Sequence, residues 1–526
     1  MTAGEPGPLR LPVFRALWIA TIVSNVGTWM HDVGAAWLMT SLSANPLMVA
    51  LVQAATTLPM FLFALPGGAL ADIVDRRKLL LAAQVWSLLS AGALAALTLA
   101  GLTDALVLLL LTFSLATAAA LNAPAFQSIV PELVPKTVLP DAVALNSLGV
   151  NISRAIGPAL GGLIVAASGP AAVFLLNAVS VLGVMVVLYR WRRPPAASHL
   201  PPEHFLGALR AGARYVRQSP ELRVVLVRSI AFFLFASATW ALLPVIARRD
   251  MGLGAAEYGG LLGFMGGGAV AGALLLPRLR GRVSSNALTV AATIGFACVA
   301  LALSMVSSYW AACAVMAVAG MSWIAMLSAL NVAAQMSAPG WVKARALAVY
   351  MVVFQGAMTA GSTLWGVLAA QTDVRTALMV AAAGQLVAVA VAFIRPLGGD
   401  SRLDLAASMH WPAPQVDGEV ALDRGPVMVT VEYRVDPARV AEFAHAMDSL
   451  HRVRRRDGAI SWNLYEDPSQ PGLMVETFVL ESWLEHLRQH ERVTHTDHAL
   501  QDDIARFHLG PDKPVVRHLI APARSP

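Results

Sequence analysis

Stretches without any Asp, Glu, Lys or Arg dominate the first 397 residues, and they recur at the length of a membrane span. A helix needs about 20 apolar residues to cross a bilayer. The runs are 16–31, 33–71, 79–103, 105–131, 155–189, 229–247, 258–277, 283–342, 346–372 and 376–394. Asn45-Pro46 breaks the second run, which supplies the end of one helix and all of the next. The 283–342 run holds two helices with a turn near Ser307-Ser308. Residues 142–167 form one helix interrupted by Arg154, and 171–189 form another. The pattern predicts an all-α membrane protein of twelve transmembrane helices. After Arg395 it changes. Residues 398–424 are rich in Pro, Gly and Asp, like a linker, and 425–526 alternate polar and apolar positions. There, 427–435 reads as a strand and Asp436-Pro437 opens a helix. Residues 459–466 and 472–480 read as a hairpin around Pro471-Gly472. A helix over 481–507, interrupted near Thr494, and a strand over 514–520 complete a β-α-β-β-α-β order. That order predicts a small α+β ferredoxin-like domain.

Composition sharpens the reading. The chain is 57% hydrophobic and 13% charged, with mean hydropathy +0.63. A soluble domain carries about 25% charged residues, and disorder needs few apolar residues. Both classes are excluded. The first apolar segment is long and runs into more membrane, so no cleavable signal peptide is expected. With a cytoplasmic N-terminus, 21 Lys and Arg from Arg10 to Arg402 fall in inside loops, against Arg248, Arg249 and Arg375 outside. The positive-inside rule favours that orientation. Both termini are then cytoplasmic and the membrane is the plasma (inner) membrane. The pI near 9.6 follows from topology, and no nucleic-acid partner is expected. Residues 1–195 form one six-helix half and 222–397 the other. The loop between them, 196–221, carries a basic amphipathic segment over 203–219 that either lies on the anionic inner leaflet or is a solvated linker helix. Cys298 and Cys313 lie in apolar stretches and read as core packing.

The halves repeat. Gly68 ends one helix before an Arg cluster, and Gly272 ends another before Arg278, Arg280 and Arg282, 204 residues on. Gly157 and Gly162 match Gly361 and Gly366 at the same offset. Two six-helix halves in the same orientation make a parallel repeat, an architecture that binds substrate between the halves near the midplane.

Several motifs resemble a known family. Gly68-Ala-Leu-Ala-Asp72-Ile-Val-Asp75-Arg76-Arg77-Lys78 is similar to the loop signature of the major facilitator superfamily, with Asp75 where Gly is usual. Gly157-Pro158-Ala-Leu-Gly161-Gly162 resembles the glycine-proline helix-packing motif of its drug/proton antiporters. Gly27-Thr-Trp29-Met-His31-Asp32, Ala144-Leu-Asn146-Ser147 and Asn151-Ile-Ser-Arg154 are more similar to the transmembrane secretion effector branch, which includes siderophore exporters. The resemblance covers about residues 10–397. It implies proton-coupled, alternating-access export of a small amphipathic or aromatic metabolite, siderophore or drug-like, without a cofactor. It also implies that Gly68, Asp72, Asp75, Arg76 and Arg77 latch the two halves, with helix capping as the plain alternative.

Charges inside spans cost about 2.5–3.5 kcal/mol even on the lenient insertion scale. Asp32 and Arg154 are therefore the candidate proton-coupling pair, the alternative being a static salt bridge. His31 is adjacent and a further candidate for the proton-coupling role, although neighbouring helix positions point about 100° apart. Asn25, Asn122, Asn151, Asn331 and Gln355 each either line the cavity or hydrogen-bond a neighbouring helix, and Trp29 either lines the cavity or serves packing or interface anchoring. Trp37, Trp240 and Phe354 are candidates for stacking on an aromatic substrate.

In the C-terminal domain, Gly458-Ala-Ile-Ser-Trp462 and the run Ser482 to His490 are similar to the antibiotic biosynthesis monooxygenase family. The resemblance implies the fold, a possible homodimer, and an enzyme domain or a sensing module fused to the transporter. A polar pocket in its interior would favour the enzyme. His486, His490, His495 and His498 cluster, but no Cys supports them, and a solvated helix face is expected rather than a metal site. No Walker sequence is present, which leaves ATP-driven transport without support.

Overall fold

Prolines and short polar residues set where the helices begin. Asn45, Asp75, Asp104, Ser284 and Asp373 each accept a hydrogen bond from a backbone N–H of the following turn, satisfying donors that a helix start leaves open. The computed structural model describes residues 7–191, 205–280, 282–397, 404–408, 410–411 and 420–522. The side chains of 69, 71–73, 136, 205–211 and 279–280 lie outside that description. Its contacts divide the chain into two units, 1–201 with 226–331 and 350–397, and 202–225 with 332–349 and 398–526.

The first unit is helical: α1 (Pro12–Leu42), α2 (Pro46–Ile73), α3 (Arg76–Leu99), α4 (Ala105–Leu133), α5 (Leu139–Ser168) and α6 (Pro170–Arg190). After α7 (Phe205–Gln218), which belongs to the second unit, come α8 (Pro220–Val245), α9 (Ala255–Arg280), α10 (Ser285–Leu303), α11 (Tyr309–Met336), α12 (Lys343–Gln371) and α13 (Val374–Ile394). Among the described residues, 11 helices are long and apolar enough to cross a membrane. The 31-residue α1, which carries Arg15, His31 and Asp32, is not one of them. Large apolar side chains such as Leu274, Val387 and Phe393 stay about 70% exposed, as lipid-facing surface requires. Cys313 is buried, but Cys298 is exposed, correcting its placement in the core; one side of a span faces lipid. The helix starts at Pro46 and Tyr309 match the sequence breaks. Gly68 and Gly272 do not end helices: α2 runs on to Ile73 and α9 to Arg280. A glycine costs a helix interior only about 1 kcal/mol, which is not enough by itself to end one.

The glycines 204 residues apart make matching contacts. Gly157 faces Val26 and Trp29 of α1, and Gly361 faces Leu234 and Ser237 of α8. Gly162 abuts Ala255 and Gly259 of α9, and Gly366 abuts Leu47 and Ala50 of α2. α5 thus meets the first helix of its own half and the second of the other, and α12 does the same in mirror order.

In the second unit, β1 (Val427–Arg434), α14 (Val440–Asp457), β2 (Ser461–Glu466), β3 (Leu473–Leu480), α15 (Trp483–Arg492), α16 (His495–Ala505) and β4 (Val515–Ile520) follow the expected order. The sheet is antiparallel throughout, ordered β2-β3-β1-β4. Thr494 caps α16 in a reciprocal capping box with Asp497, which divides the expected 481–507 helix in two. The core gathers Val427, Val429, Phe443, Met447, Leu450 and Phe478 between sheet and helices. The stretch read as linker is partly built in: Ser408 N donates to Val493 O (2.9 Å), and Trp483 N donates to Arg424 O (2.7 Å).

Candidate functional site

Seven helices of the first unit enclose a cavity of about 320 Å³. α1 supplies Trp29, Asp32, Val33 and Ala36, spaced three and four apart and so on one helix face. α5 adds Arg154. The Arg154 guanidinium lies 5.6 Å over the Trp29 ring, and its buried Nε has no hydrogen-bond partner. Among the described residues no ion pair within 4.0 Å joins Asp32 to Arg154, although both line the cavity. His31 is buried on another side of α1, its ring 4.7 Å from that of Phe174 on α6, and is not among the cavity residues.

Trp29, Gln355, Trp240 and Phe354 line the cavity; Asn25, Asn122, Asn151 and Asn331 do not. Asn122 accepts from Gln84 (3.3 Å), and Asn151 Nδ2 donates to Ser147 O (2.9 Å). Asn331 has a partner of its own. Asn122 and Asn151 thus take the second of their two readings, a hydrogen bond between or within helices. Gln53, Thr56, Thr57, Tyr258 and Trp323 line the cavity and were missed. The spacing of Gln53, Thr56 and Thr57 was a readable signal, a polar face on an otherwise apolar α2. Trp323 sits among aromatics, its ring 5.2 Å from Phe233 and 5.3 Å from Trp240.

The cavity has one bridged end. Arg248, just beyond α8, donates to Thr40 Oγ1 (2.9 Å) and to Ser41 at the close of α1, and stacks 5.2 Å over Trp37. Arg249 donates to Ser43 O (2.9 Å) and to Ala44 O. Trp37 stacks on Tyr258, 5.6 Å between centroids. Thr57 of α2 and Thr359 of α12 hydrogen-bond at 2.7 Å near the middle of both helices.

The loop signature makes its visible contacts within the first half. Asp75 caps α3, accepting from Lys78 N at 3.0 Å. Arg76 pairs with Glu132 of α4 (2.9 Å), and Arg77 donates to Leu188 O of α6 (2.8 Å). A Cβ at Gly68 would meet nothing within 4 Å, and the Asp72 side chain lies outside the described residues. In the packing motif, a Cβ at Gly161 would lie 2.8 Å from Met30 Cα, and Pro158 sits buried inside α5.

The second unit holds a buried polar network. Glu476, fully buried, accepts from Arg454 Nε (2.9 Å), Trp462 Nε1 (2.9 Å) and Tyr433 OH (3.3 Å). Burial, with the Glu476 carboxylate beside it, holds the Tyr433 hydroxyl protonated well above its ordinary range. Glu476→Gln is expected to destabilise this unit by about 3–5 kcal/mol, because Arg454 becomes an uncompensated buried charge; pulse proteolysis in urea reads the shift in midpoint.

Arg456 bridges Asp457 (2.8 Å) and Asp497 (2.6 Å) and lies 5.9 Å over Tyr215 of α7. Tyr215 donates to Ser337 O (2.6 Å), and burial pushes its hydroxyl up to about 12. Arg492 holds Glu485 (2.9 Å) and stacks 4.8 Å over Trp341. The described part of the middle-loop helix therefore buries Tyr215 against Ser337 and Arg456 and leaves Ala213 and Arg217 exposed; Glu203 and His204 lie outside the described residues. His486 is buried and His490 half-buried, correcting the solvated helix face. His498 stacks 3.9 Å on His410, and His495 opens α16.

Comparison with known proteins fits this architecture. Residues 3–526 match a family described as transmembrane secretion effector, so the match takes in the second unit as well as the spans. The enterobactin exporter EntS of Salmonella choleraesuis (strain SC-B67) is 28% identical over 334 residues, 61% of this chain and 76% of that protein. EntS of Escherichia coli O1:K1 / APEC is 29% identical over the same extent. A bacterial homologue of the human lysosomal transporter Spinster, in an inward-facing, unoccupied conformation, superposes with TM-score 0.60 at 14% identity, over 74% of this chain and 98% of its own. The nucleoside transporter NupG does so with TM-score 0.58 at 11% identity, over 73% and 98%.

Proposed function

Since the chain belongs to the transmembrane secretion effector family of major facilitator transporters, we propose that it is a proton-coupled exporter of a small amphipathic or aromatic anion in the inner membrane. The observation that carries this reading is a single cavity holding both a carboxylate and a guanidinium that are not locked together. Asp32 is free to load and release a proton as the cavity changes access. Arg154 and the aromatic wall of Trp29, Trp240 and Trp323 suit a catecholate- or carboxylate-bearing ring. α1 completes the count as a twelfth span: it carries the cavity acid, and membrane charges of this kind face a polar interior. The matching glycine contacts support two parallel six-helix halves.

Lys and Arg counts support cytoplasmic termini, which puts the Arg248–Arg249 bridge at the outer face. The described state is then closed to the outside. Arg248→Ala together with Arg249→Ala is expected to raise labelling of a cysteine placed at Ala36 by an impermeant outside reagent several-fold. Unchanged labelling would mean the bridge does not close that face. The reading as a whole is tested in proteoliposomes with an internal pH dye, challenged with catecholates and lipophilic cations under an imposed pH gradient. Substrate-dependent proton flux supports it; substrate uptake that leaves the dye unmoved removes the proton.

A second reading concerns the second unit. Its strand order and helix placement support a ferredoxin-like fold, and its union with α7 and residues 332–349 favours a sensing module over a free-standing monooxygenase-like enzyme. Its buried Glu476 network is satisfied by its own side chains, which leaves that carboxylate no evident substrate to serve.

A further inference from the structure

His486 and His490 are four residues apart on α15, so both rings leave the same helix face. β4 brings a third imidazole, His518, opposite Val429 of β1 in the sheet register. One ring nitrogen from each of the three lies within 4.8 Å of the other two. The rings of His486 and His490 stand 4.8 Å apart at 85°, and those of His486 and His518 stand 4.7 Å apart at 56°. They do not stack. Only 1% of His486 is exposed, yet neither its Nδ1 nor its Nε2 has a hydrogen-bond partner. A buried neutral imidazole carries one donor and one acceptor to satisfy, and here neither is met by the protein. From this geometry we propose that His486, His490 and His518 are the ligands of a divalent transition-metal ion of the zinc class, with a fourth coordination position left open.

Three imidazoles suit zinc, copper, iron or nickel rather than calcium or magnesium. With metal–nitrogen bonds of about 2.0–2.1 Å, tetrahedral ligand nitrogens sit about 3.3 Å apart. Small rotations of the rings close the remaining gap. Binding needs neutral rings. Arg454 is paired with the buried Glu476. The edge of Trp411 packs on His490 at 4.9 Å, and Trp483 on His486 at 5.1 Å, an apolar collar that restricts water.

The test titrates Co²⁺ alone into the metal-stripped full chain in detergent. One equivalent is expected to produce the intense visible bands of a tetrahedral cobalt centre, displaced by Zn²⁺. His518→Gln is expected to weaken binding by at least ~100-fold, beyond the 10–100-fold typical of an outer-shell change. His445→Ala, on an exposed ring of α14, is expected to change nothing. Absence of stoichiometric cobalt binding by the unaltered chain overturns the proposal, and that arm needs no variant to fold. So do bands that survive undiminished in both His486→Gln and His518→Gln.

Discussion

Replacing Asp32 by Asn is expected to lower pH-gradient-driven flux about 100-fold while leaving substrate exchange across the membrane nearly intact. Asn keeps the shape and can still hydrogen-bond, but it has no proton to carry. The cavity around it, lined by Trp29, Gln53, Thr56 and Tyr258, would keep its volume. A loss of this size corresponds to the upper part of the ~1–3 kcal/mol by which two sites are commonly coupled. The pairing of measurements matters. Proton-driven flux reports coupling, whereas exchange with labelled substrate on both sides reports binding and movement. Loss of both would place Asp32 in substrate recognition. Loss of neither would leave Asp32 without a transport role, and Arg154 would then need another explanation for lying uncapped over Trp29.

Gly162→Val is expected to remove transport in both assays. A Cβ at Gly162 would lie 2.6 Å from Ala255 O and 2.6 Å from Gly259 Cα, distances that only a shift of a whole helix can relieve. In a membrane, helices associate through close packing of small residues rather than through hydrophobic burial. Forcing extra methyls into such a contact costs about 1–3 kcal/mol, and here the contact joins one half to the other. The mirror change, Gly366→Val against Leu47 and Ala50, should behave alike, because the repeat places the two glycines in corresponding contacts. Size-exclusion behaviour separates a misassembled protein from a folded one that cannot move. Wild-type flux from folded Gly162→Val would show that this contact is not needed for the cycle.

The spans were legible because charge is expensive in lipid: a stretch without Asp, Glu, Lys or Arg is nearly a span by definition. Asp32 and Arg154 stood out for the same reason, and the cavity does hold them both. The other cavity residues were harder to read. Asn122 and Asn151 look like cavity groups in the sequence, but each satisfies itself on a neighbouring helix or its own turn. Trp323 and Tyr258 carry no sequence mark of the cavity, and only the meeting of seven helices brings them to one wall. The soluble sheet was legible strand by strand. What could not be read was which distant segments complete that unit, since Tyr215 and Trp341 carry no mark of their partners. The histidines failed in the other direction: two were visible as a helical pair, and the third lies on a strand with no sequence pattern tying it to them.

The second unit draws on three separated stretches of chain, and this bears on the order in which the protein is made. Tyr215 leaves the ribosome about 240 residues before Arg456, which stacks on it. At 5–20 residues per second this is roughly 10–50 s. Through that interval α7 has its tyrosine but not its cover, and Trp341 waits likewise for Arg492. A nascent chain of this protein therefore inserts its spans with two aromatic contacts still unfilled, and a ribosome stalled before residue 456 would display them to chaperones and proteases as a sign of incompleteness.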